Sequence, residues 1–505
     1  MKRKGSNLFF NTILLSLSSM IIRVIQIVYK VFVSNEIGSE GLGLSKLIGT
    51  VTMVAMTIAT SGIATAVTRI VSEQVSKRNY TNVKYLILKA CTISAVLGLI
   101  SSSILIGFSD EIALYIFKDS RIILTLKIIA ISIPLISVSS CIRGYFYAVR
   151  DIFVPITCQF IEKFIQIAVV VAFLSIGMSK GLEYGLAVLA LGNVVKEIVS
   201  FIYIVLSYFL EKRENENFKR ESKLSDGLIK EMFKVAMPIA ASSYSMSIFK
   251  SIEMTLIPVC LIAFGMSKSE AVSIIGGVMG MVFPIIMFPM SLLMSLVRVL
   301  MPEIARAKAV NNRERVNSLI SRSIGFTSVL GIITALVIYS FNNELGVAIY
   351  SSNDIGMYFK MIAISIPFMY IDGIMSGILN GLNEQLKSFQ YLIMESILRV
   401  ICIYLLLPIK GVEGLMMTMF IAAVFSCTLS ALRVKKVTEV KMQGMNWIIK
   451  PLIFGILAVE VSKIFWTVKV GATISLGISL TIGIILILSI YFILIKLFKC
   501  IKIRD

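Results

Sequence analysis

The sequence contains no histidine among its 505 residues, and only 15% of its residues are charged. The lack of histidine excludes general-base catalysis, metal binding and proton relays that depend on an imidazole. The pattern Gly-x-x-x-x-Gly-Lys-Ser/Thr is also missing, which excludes ATP hydrolysis at a P-loop. The seven cysteines include no Cys-x-x-Cys pair, so neither a disulfide framework nor a zinc site is predicted. We therefore expect no enzyme activity, no metal and no other cofactor.

Hydrophobic residues are abundant. They make up 57% of the chain, and the mean hydropathy is +0.90. Such a chain cannot present a polar exterior to water, and one membrane crossing needs about 20 apolar residues. Fourteen stretches meet that requirement: 8–33, 43–70, 84–107, 121–147, 154–176, 184–209, 232–262, 272–300, 319–341, 357–381, 389–408, 412–433, 447–466 and 471–497. We predict an all-α polytopic membrane protein with about fourteen transmembrane helices.

The chain contains an internal repeat. Residues Lys127–Pro134 return with one change as Lys360–Pro367, and the same shift of 233 residues places Gly144 on Gly377 and Glu162 on Glu395. Duplicated membrane proteins commonly place a shared central site between two halves. We expect two six-helix repeats around a central cavity plus two extra C-terminal helices. Pro134 and Pro367 should bend their helices and act in gating or helix orientation.

The repeat and the loop composition predict the domain organisation. We expect an N-terminal lobe at 1–210, a cytoplasmic linker at 211–231, a C-terminal lobe at 232–435, and two further helices with a basic tail at 436–505. Lys and Arg concentrate in the linker, in alternate loops and at both ends of the chain. We expect a multi-pass cell-membrane protein, and the positive-inside rule predicts that both termini are cytoplasmic. Much of its net charge of +20 is explained in this way, without nucleic acid as a partner.

Basic residues inside apolar stretches are the first candidate site. Arg23, Gln26 and Lys30 are spaced i, i+3 and i+7, which places them on one face of the first helix. A buried cation is costly in a membrane and usually faces protein or water. Snorkelling to the interface is the alternative for Lys30. Arg69 and Arg298 close matching spans at the cytoplasmic side, where substrate binding and simple anchoring both remain open. Arg143 is near the cytoplasmic end of its span and is interpreted in the same way.

Acidic residues inside the spans are the second candidate group. Asp372 lies five residues after Pro367 and is predicted to line the cavity. Glu162 and Glu395 are repeat mates, which favours a shared role in orienting helices, with a proton or sodium site as the alternative. Glu395 and Arg399 are spaced i, i+4, so they are expected to neutralise each other. Lys250 and Glu253, at i, i+3, are expected to do the same.

Several segments of the chain form a recognisable set of motifs: Asn35–Leu44, Thr60–Ala66, Ile142–Phe146 with Pro155, Gln159 and Glu162, Phe288–Pro289, Leu300–Glu303 and Ile378–Asn383. Together they resemble the stage V sporulation protein B family of the multidrug/oligosaccharidyl-lipid/polysaccharide (MOP) exporter superfamily. It implies fourteen spans and an extra helix pair that offers a groove for a lipid tail. It also implies that Arg23, Arg69 and Arg298 meet a pyrophosphate. Lys163, beside Glu162, departs from the amide or polar residue expected there.

The resemblance and the charges together favour a lipid-linked oligosaccharide flippase. The expected substrate is an isoprenoid-pyrophosphate-linked anionic glycan precursor, in particular peptidoglycan lipid II for the spore cortex, moved to the outer leaflet by alternating access. Membrane lipid and cell-wall polymerases are the other partners considered. A drug or cation antiporter of the same superfamily is the main alternative and would need an acidic cavity. A scaffold that recruits a polymerase is a weaker alternative, because a scaffold has no use for buried, unpaired arginine.

Overall fold

The computed structural model describes residues 8–60, 62–215, 227–440, 443–469 and 476–498. Its regular secondary structure is helical throughout these ranges, as the all-α prediction requires. The chain divides into two compact units, Met1–Thr255 and Leu256–Asp505, here called unit 1 and unit 2. The predicted lobe boundaries, with a linker at 211–231, remain a prediction.

Unit 1 is built from long helices joined by short turns. Its helices are α1 (Leu8–Thr60), α2 (Ile63–Ser76), α3 (Tyr80–Gly107), α4 (Ser109–Glu111), α5 (Ile123–Ala130), α6 (Ser132–Ala148), α7 (Phe153–Lys180), α8 (Leu182–Asn215) and α9 (Leu228–Ala263), of which the last crosses the division between the units. A π-helical turn at Ile112–Ile116 and a 3-10 turn at Ser120–Ile122 precede α5.

Unit 2 continues in the same manner. Its helices are α10 (Lys268–Ile275), α11 (Phe283–Ala309), α12 (Arg313–Ser340), α13 (Asn342–Tyr350), α14 (Asn353–Ala363), α15 (Ile366–Gly381), α16 (Gln385–Val437), α17 (Lys450–Lys469) and α18 (Leu476–Leu497). π-Helical turns occupy Gly276–Val282, between α10 and α11, and Met445–Ile449, before α17. The last two helices contact α12, where the Tyr491 hydroxyl donates to the Val329 carbonyl at 3.1 Å.

The described helices are long and apolar enough for many membrane crossings. Eleven meet the length and hydropathy requirements, or twelve if α14 and α15 form one bent span. Two of the eleven, Met20–Ser76 and Gln385–Val437, are 57 and 53 residues long. At about 20 residues a crossing, each has the length for two. The exact number of fourteen spans stays a prediction.

The internal repeat reappears in matched contacts. Gly98 packs against Pro134, where an added Cβ would lie 2.8 Å from the proline Cα. In unit 2, a Cβ on Gly331 would lie 3.1 Å from the Cα of Pro367, and Gly331 is Gly98 shifted by 233 residues. In a membrane, apolar side chains are as well solvated by lipid tails as by one another, so helices associate chiefly through close van der Waals packing. Small residues such as glycine permit this close approach.

The helices are interrupted just before both repeated prolines. The turn between α5 and α6 lies at Ile131, three residues before Pro134. In unit 2, α14 and α15 meet at an angle of 57° immediately before Pro367. A proline near the start of a helix loses no helical hydrogen bond, whereas the same residue in mid-helix would clash with the preceding turn. The prolines therefore mark the beginning of a second helical segment in each unit.

Gly62 permits a close contact between helices of unit 1. It lies directly before α2, with φ of 77°, a conformation that favours glycine. Any side chain there would collide with the backbone oxygen of Ala236 in α9. The next helix, α2, buries a regular stripe against α3, α6 and the start of α9 that includes Ile63, Val67 and Ile70. Helix α9 is therefore held against the N-terminal helices within unit 1.

Candidate functional site

A buried ion pair connects three helices of unit 1. Arg143 of α6 donates to the Glu162 carboxylate of α7 and, at 2.8 Å, to the Ser200 hydroxyl of α8. The same hydroxyl donates to Glu162 Oε1 at 2.5 Å. Glu162 is 7% exposed and Ser200 is fully buried. The carboxylate is therefore enclosed by partners from two neighbouring helices, and a role of Glu162 in orienting these helices stays a prediction.

Amide and lysine side chains extend this network along α7 and α8. Lys163 follows Glu162 and donates to Gln166 Oε1 at 3.1 Å. Gln166 in turn donates to Asn193 Oδ1 of α8 at 3.0 Å. Lys196, also on α8, forms an ion pair of 3.3 Å with Glu197. Lys163 departs from the family pattern, yet here it brings a positive charge close enough to Lys196 for the two charges to interact.

Lysines from α1 and α9 join the same region. Lys46 of α1 is close enough to Lys30, in the first part of that helix, and to Lys250 of α9 for their charges to repel one another. Lys30 also interacts with Lys163 of α7. The Lys30 side chain is accessible although protein atoms surround it closely. We call Lys30, Lys46, Lys163, Lys196 and Lys250 the lysine cluster.

The lysine cluster has an excess of positive charge. Three carboxylates approach it in the described part of unit 1, and each already has a cationic partner. Glu162 pairs with Arg143, Glu197 with Lys196 at 3.3 Å, and Glu253 with Lys250 at 3.2 Å, as predicted for that i, i+3 pair. The five lysines and Arg143 therefore carry six positive charges, against three negative charges on these carboxylates. Lys30 and Lys46 have no carboxylate partner among the described residues. An anion placed beside them would relieve this repulsion.

The other predicted basic residues lie on α1, α2 and α11. Arg23 and Gln26 precede Lys30 on the same face of α1, and both side chains are half-buried. Arg69 is exposed on α2, and its charge acts on Glu73 one turn further along. The backbone of Arg298 lies in α11, but its side chain lies outside the described residues. The roles of these residues in substrate binding stay predictions.

Asp372 belongs to a separate polar network in unit 2. It accepts a hydrogen bond from Ser430 of α16 at 3.0 Å and lies near the charge of Arg399. Arg399 pairs with Glu395 on its own helix, which confirms the i, i+4 pair expected from the sequence. The repeat mates Glu162 and Glu395 thus each bind an arginine. In unit 1 that arginine comes from a neighbouring helix, whereas in unit 2 it comes from the same helix.

Lys46, Ser200 and the partner of Arg143 are not among the predictions from the sequence. Lys46 lies at the beginning of the second apolar stretch, and a search for every lysine inside a predicted span would have found it. Arg143 and Ser200 gave a weaker signal, because their contact with Glu162 joins residues separated by 19 and 38 positions. Only the packing of α6, α7 and α8 brings these groups together.

A many-helix fold of this kind, with ionisable side chains inside its spans, defines a polytopic membrane transporter. The chain matches the family described as polysaccharide biosynthesis protein over residues 8–307 and the MatE family over residues 235–405. It belongs to the polysaccharide biosynthesis protein family, within the MOP superfamily.

Curated relatives from Bacillus subtilis (strain 168) support this assignment. Stage V sporulation protein B is 23% identical over 436 residues, which cover 86% of this chain and 84% of the relative. Sporulation protein YkvU is 20% identical over 403 residues, which cover 80% of this chain and 89% of that relative. The similarity therefore extends over most of both relatives.

Solved structures show the same fold. An inward-facing multidrug resistance MATE family transporter of the MOP superfamily superimposes with a TM-score of 0.66 at 15% identity, covering 83% of this chain and 98% of that one. A second solved structure is a MOP superfamily transporter from Pyrococcus furiosus described as having a binding pocket of reverse polarity. It superimposes with a TM-score of 0.58 at 15% identity and covers 85% of this chain and 96% of that one. The fold of MATE transporters is thus the fold of this chain.

Proposed function

We propose that this protein is a flippase that moves an isoprenoid-pyrophosphate-linked glycan precursor from the inner to the outer leaflet of the cell membrane by alternating access. Family membership supports a glycan precursor. The two sporulation relatives favour peptidoglycan lipid II for the spore cortex as the particular substrate. The loop charges favour cytoplasmic termini. In the proposed transport, the substrate enters from the inner leaflet.

The lysine cluster is the observation that carries this proposal. A pyrophosphate offers several anionic oxygens, and lysine ammonium groups bind phosphate as point charges without a fixed geometry. The interaction is stronger inside a membrane protein than in water, because the local dielectric is lower. Lys30 and Lys46, which lack carboxylate partners among the described residues, are the side chains best placed to contact the head group.

The membrane potential favours movement in the proposed direction. Moving one elementary charge across about 100 mV is worth about 2.3 kcal/mol. A head group with roughly two negative charges, moved outward across an inside-negative potential, would therefore gain about 4.6 kcal/mol. This amount is sufficient to bias transport strongly towards the outer leaflet. The proposal consequently requires no bound nucleotide.

A drug or cation antiporter is the second candidate. Two observations favour it: the fold of MATE transporters, and Asp372, a half-buried carboxylate on a membrane helix. Such a carboxylate can bind a proton or a metal cation during transport. Asp372 nevertheless has a hydroxyl partner in Ser430 and lies near Arg399, which reduces its attraction for a second cation.

Charge-neutralising variants distinguish the two candidates. Lys30→Gln and Lys46→Gln each remove one positive charge and keep an unbranched polar side chain that is one bond shorter. We expect each to weaken binding of lipid II to the purified protein in nanodiscs by about tenfold, the effect of losing one charged contact of about 1.4 kcal/mol. Asp372→Asn should bind lipid II as well as the unchanged protein does. Native mass spectrometry with graded lipid II gives these affinities directly.

Lys180→Gln is the matched control. Lys180 is an exposed lysine at the end of α7 and does not belong to the lysine cluster. Its replacement should leave lipid II binding unchanged. A teichoic-acid lipid precursor, measured in parallel, tests whether lipid II is the preferred glycan. If Lys30→Gln and Lys46→Gln bound lipid II as tightly as the unchanged protein does, the flippase proposal would be wrong. If Asp372→Asn also abolished drug or cation transport, the antiporter would be correct.

A further inference from the structure

Unit 2 contains a polar cavity at the junction between α11 and α12. Its volume is about 420 Å³. Its walls come from the end of α11, the start of α12, the end of α15 and the segment that follows α16. The lining residues that matter for its chemistry are Lys308, Asn312, Arg313, Asn317, Lys436 and Glu439. We call this space the α11–α12 pocket.

The turn between the two helices determines the shape of the pocket. Helix α11 ends at Ala309, and Asn311 adopts a left-handed conformation with φ of 53°. Asn312 then caps α12, because its side-chain oxygen accepts a hydrogen bond from the Arg315 amide at 2.9 Å. The positive end of the α12 dipole consequently lies at the pocket wall, where it favours negative charge.

The charged side chains around the pocket are mostly positive. Lys308 donates to the Leu382 carbonyl at 2.5 Å, a neutral acceptor that leaves the lysine charge uncompensated. Arg313 pairs with Glu439 across the pocket, and both side chains are largely exposed. Lys436 is exposed and has no ion-pair partner among the described residues. Three cations therefore share one carboxylate.

We infer that the α11–α12 pocket binds a phosphate group. Three cations from α11, α12 and the end of α16 converge on a space large enough for a phosphate and its neighbours. Ammonium, guanidinium and amide groups are the donors that phosphate oxygens accept from. The bound phosphate belongs either to an anionic lipid head group or to a soluble phosphorylated molecule. In both cases it competes with Glu439 for Arg313.

General anchoring of the protein by basic loops does not explain the pocket equally well. Lys435 is adjacent to Lys436 on α16, is also exposed, and serves anchoring and the helix dipole as effectively. Only Lys436 lines the cavity. The two lysines therefore form a matched pair. Anchoring predicts the same effect from either replacement, whereas the phosphate site predicts an effect from Lys436 alone.

Calorimetric titration with inorganic pyrophosphate tests the soluble source. All measurements use the full-length protein in uncharged detergent with Lys30→Gln and Lys46→Gln as the background. These two changes reduce the contribution of the lysine cluster of unit 1 to pyrophosphate binding. Adding Lys436→Gln should weaken pyrophosphate binding by about tenfold, because one charged donor is lost. Adding Lys308→Gln as well should weaken it further. Lys435→Gln should leave the affinity unchanged. Glu439→Gln should strengthen binding several-fold, since it removes the competing carboxylate.

Native mass spectrometry in nanodiscs tests the lipid source. Nanodiscs of phosphatidylcholine containing phosphatidylglycerol provide an anionic head group, and pure phosphatidylcholine is the blank. If the phosphate comes from lipid, Lys436→Gln should retain less phosphatidylglycerol than the unchanged pocket. Lys435→Gln should retain as much, and Glu439→Gln should retain more. The inference fails if neither probe distinguishes Lys436→Gln from Lys435→Gln, or if Glu439→Gln weakens binding. Failure here would leave the flippase proposal untouched, because that proposal depends on unit 1.

Discussion

Neutralising Glu162 should destabilise the protein strongly. Glu162→Gln removes the anion that compensates Arg143 inside the packing of α6, α7 and α8, where Glu162 is only 7% exposed. Removing one partner of a buried ion pair costs about 3–5 kcal/mol, because the remaining charge stays buried without compensation. Arg143 is 25% exposed, so water relieves part of this cost. We therefore expect a loss near the lower limit, about 3 kcal/mol.

The repeat mate provides an internal control. Glu395→Gln also removes a carboxylate from an arginine, but Asp372 lies close to Arg399 and retains part of the compensation. Its cost should be clearly smaller than that of Glu162→Gln. Combining Glu162→Gln with Arg143→Gln should recover stability relative to Glu162→Gln alone, because no charge then remains buried. Unfolding by SDS in mixed micelles gives the free energies. A double variant whose loss equals the sum of both single losses would refute the reasoning.

Three further predictions concern the backbone, the first helix and the topology. Gly62→Ala should lower the free energy of unfolding by about 1–3 kcal/mol in the same assay, because of its positive φ and its contact with α9. Gly49→Ala is the control: it lies in open space on α1 and should be neutral or stabilising. Arg23→Ala should lose most lipid II binding and Arg23→Lys should keep part of it, since pyrophosphate needs charge more than geometry; equal affinities would exclude Arg23 from the site. In a cysteine-free background, a membrane-impermeant thiol reagent should label Glu314→Cys only from the cytoplasm and Ser269→Cys only from outside. Labelling of both from one side would contradict the topology.

Local and repeated features could be predicted from the sequence. The pairs Lys250–Glu253 and Glu395–Arg399 follow from helical spacing alone, because residues three or four positions apart share a face. The helix interruptions before Pro134 and Pro367 follow from the missing amide hydrogen of proline. Both kinds of inference need only the chain itself, and neither depends on how distant helices pack.

Features that depend on distant helices could not be predicted in this way. The ion pair of Arg143 is one example, since nothing in its own helix indicates that Glu162 lies opposite. The division of the longest helices into spans is a second example. Helices α1 and α16 each run for 53 residues with non-helical backbone angles at Gly38 and Gly411, so hydropathy alone does not define their individual crossings.

The two halves of the repeat have diverged in charge, and this divergence separates the two candidate functions physically. Shifting Lys163 and Lys196 of unit 1 by 233 residues leads to Ser396 and Leu429, which carry no charge. The reverse shift takes Asp372 of unit 2 to Ser139. The carboxylates Glu162 and Glu395, by contrast, are present in both halves. Lys163 and Lys196 are therefore charges of unit 1 alone, and Asp372 is a charge of unit 2 alone. Anion binding would consequently be lost through changes in unit 1, whereas any cation coupling would be lost through Asp372 in unit 2.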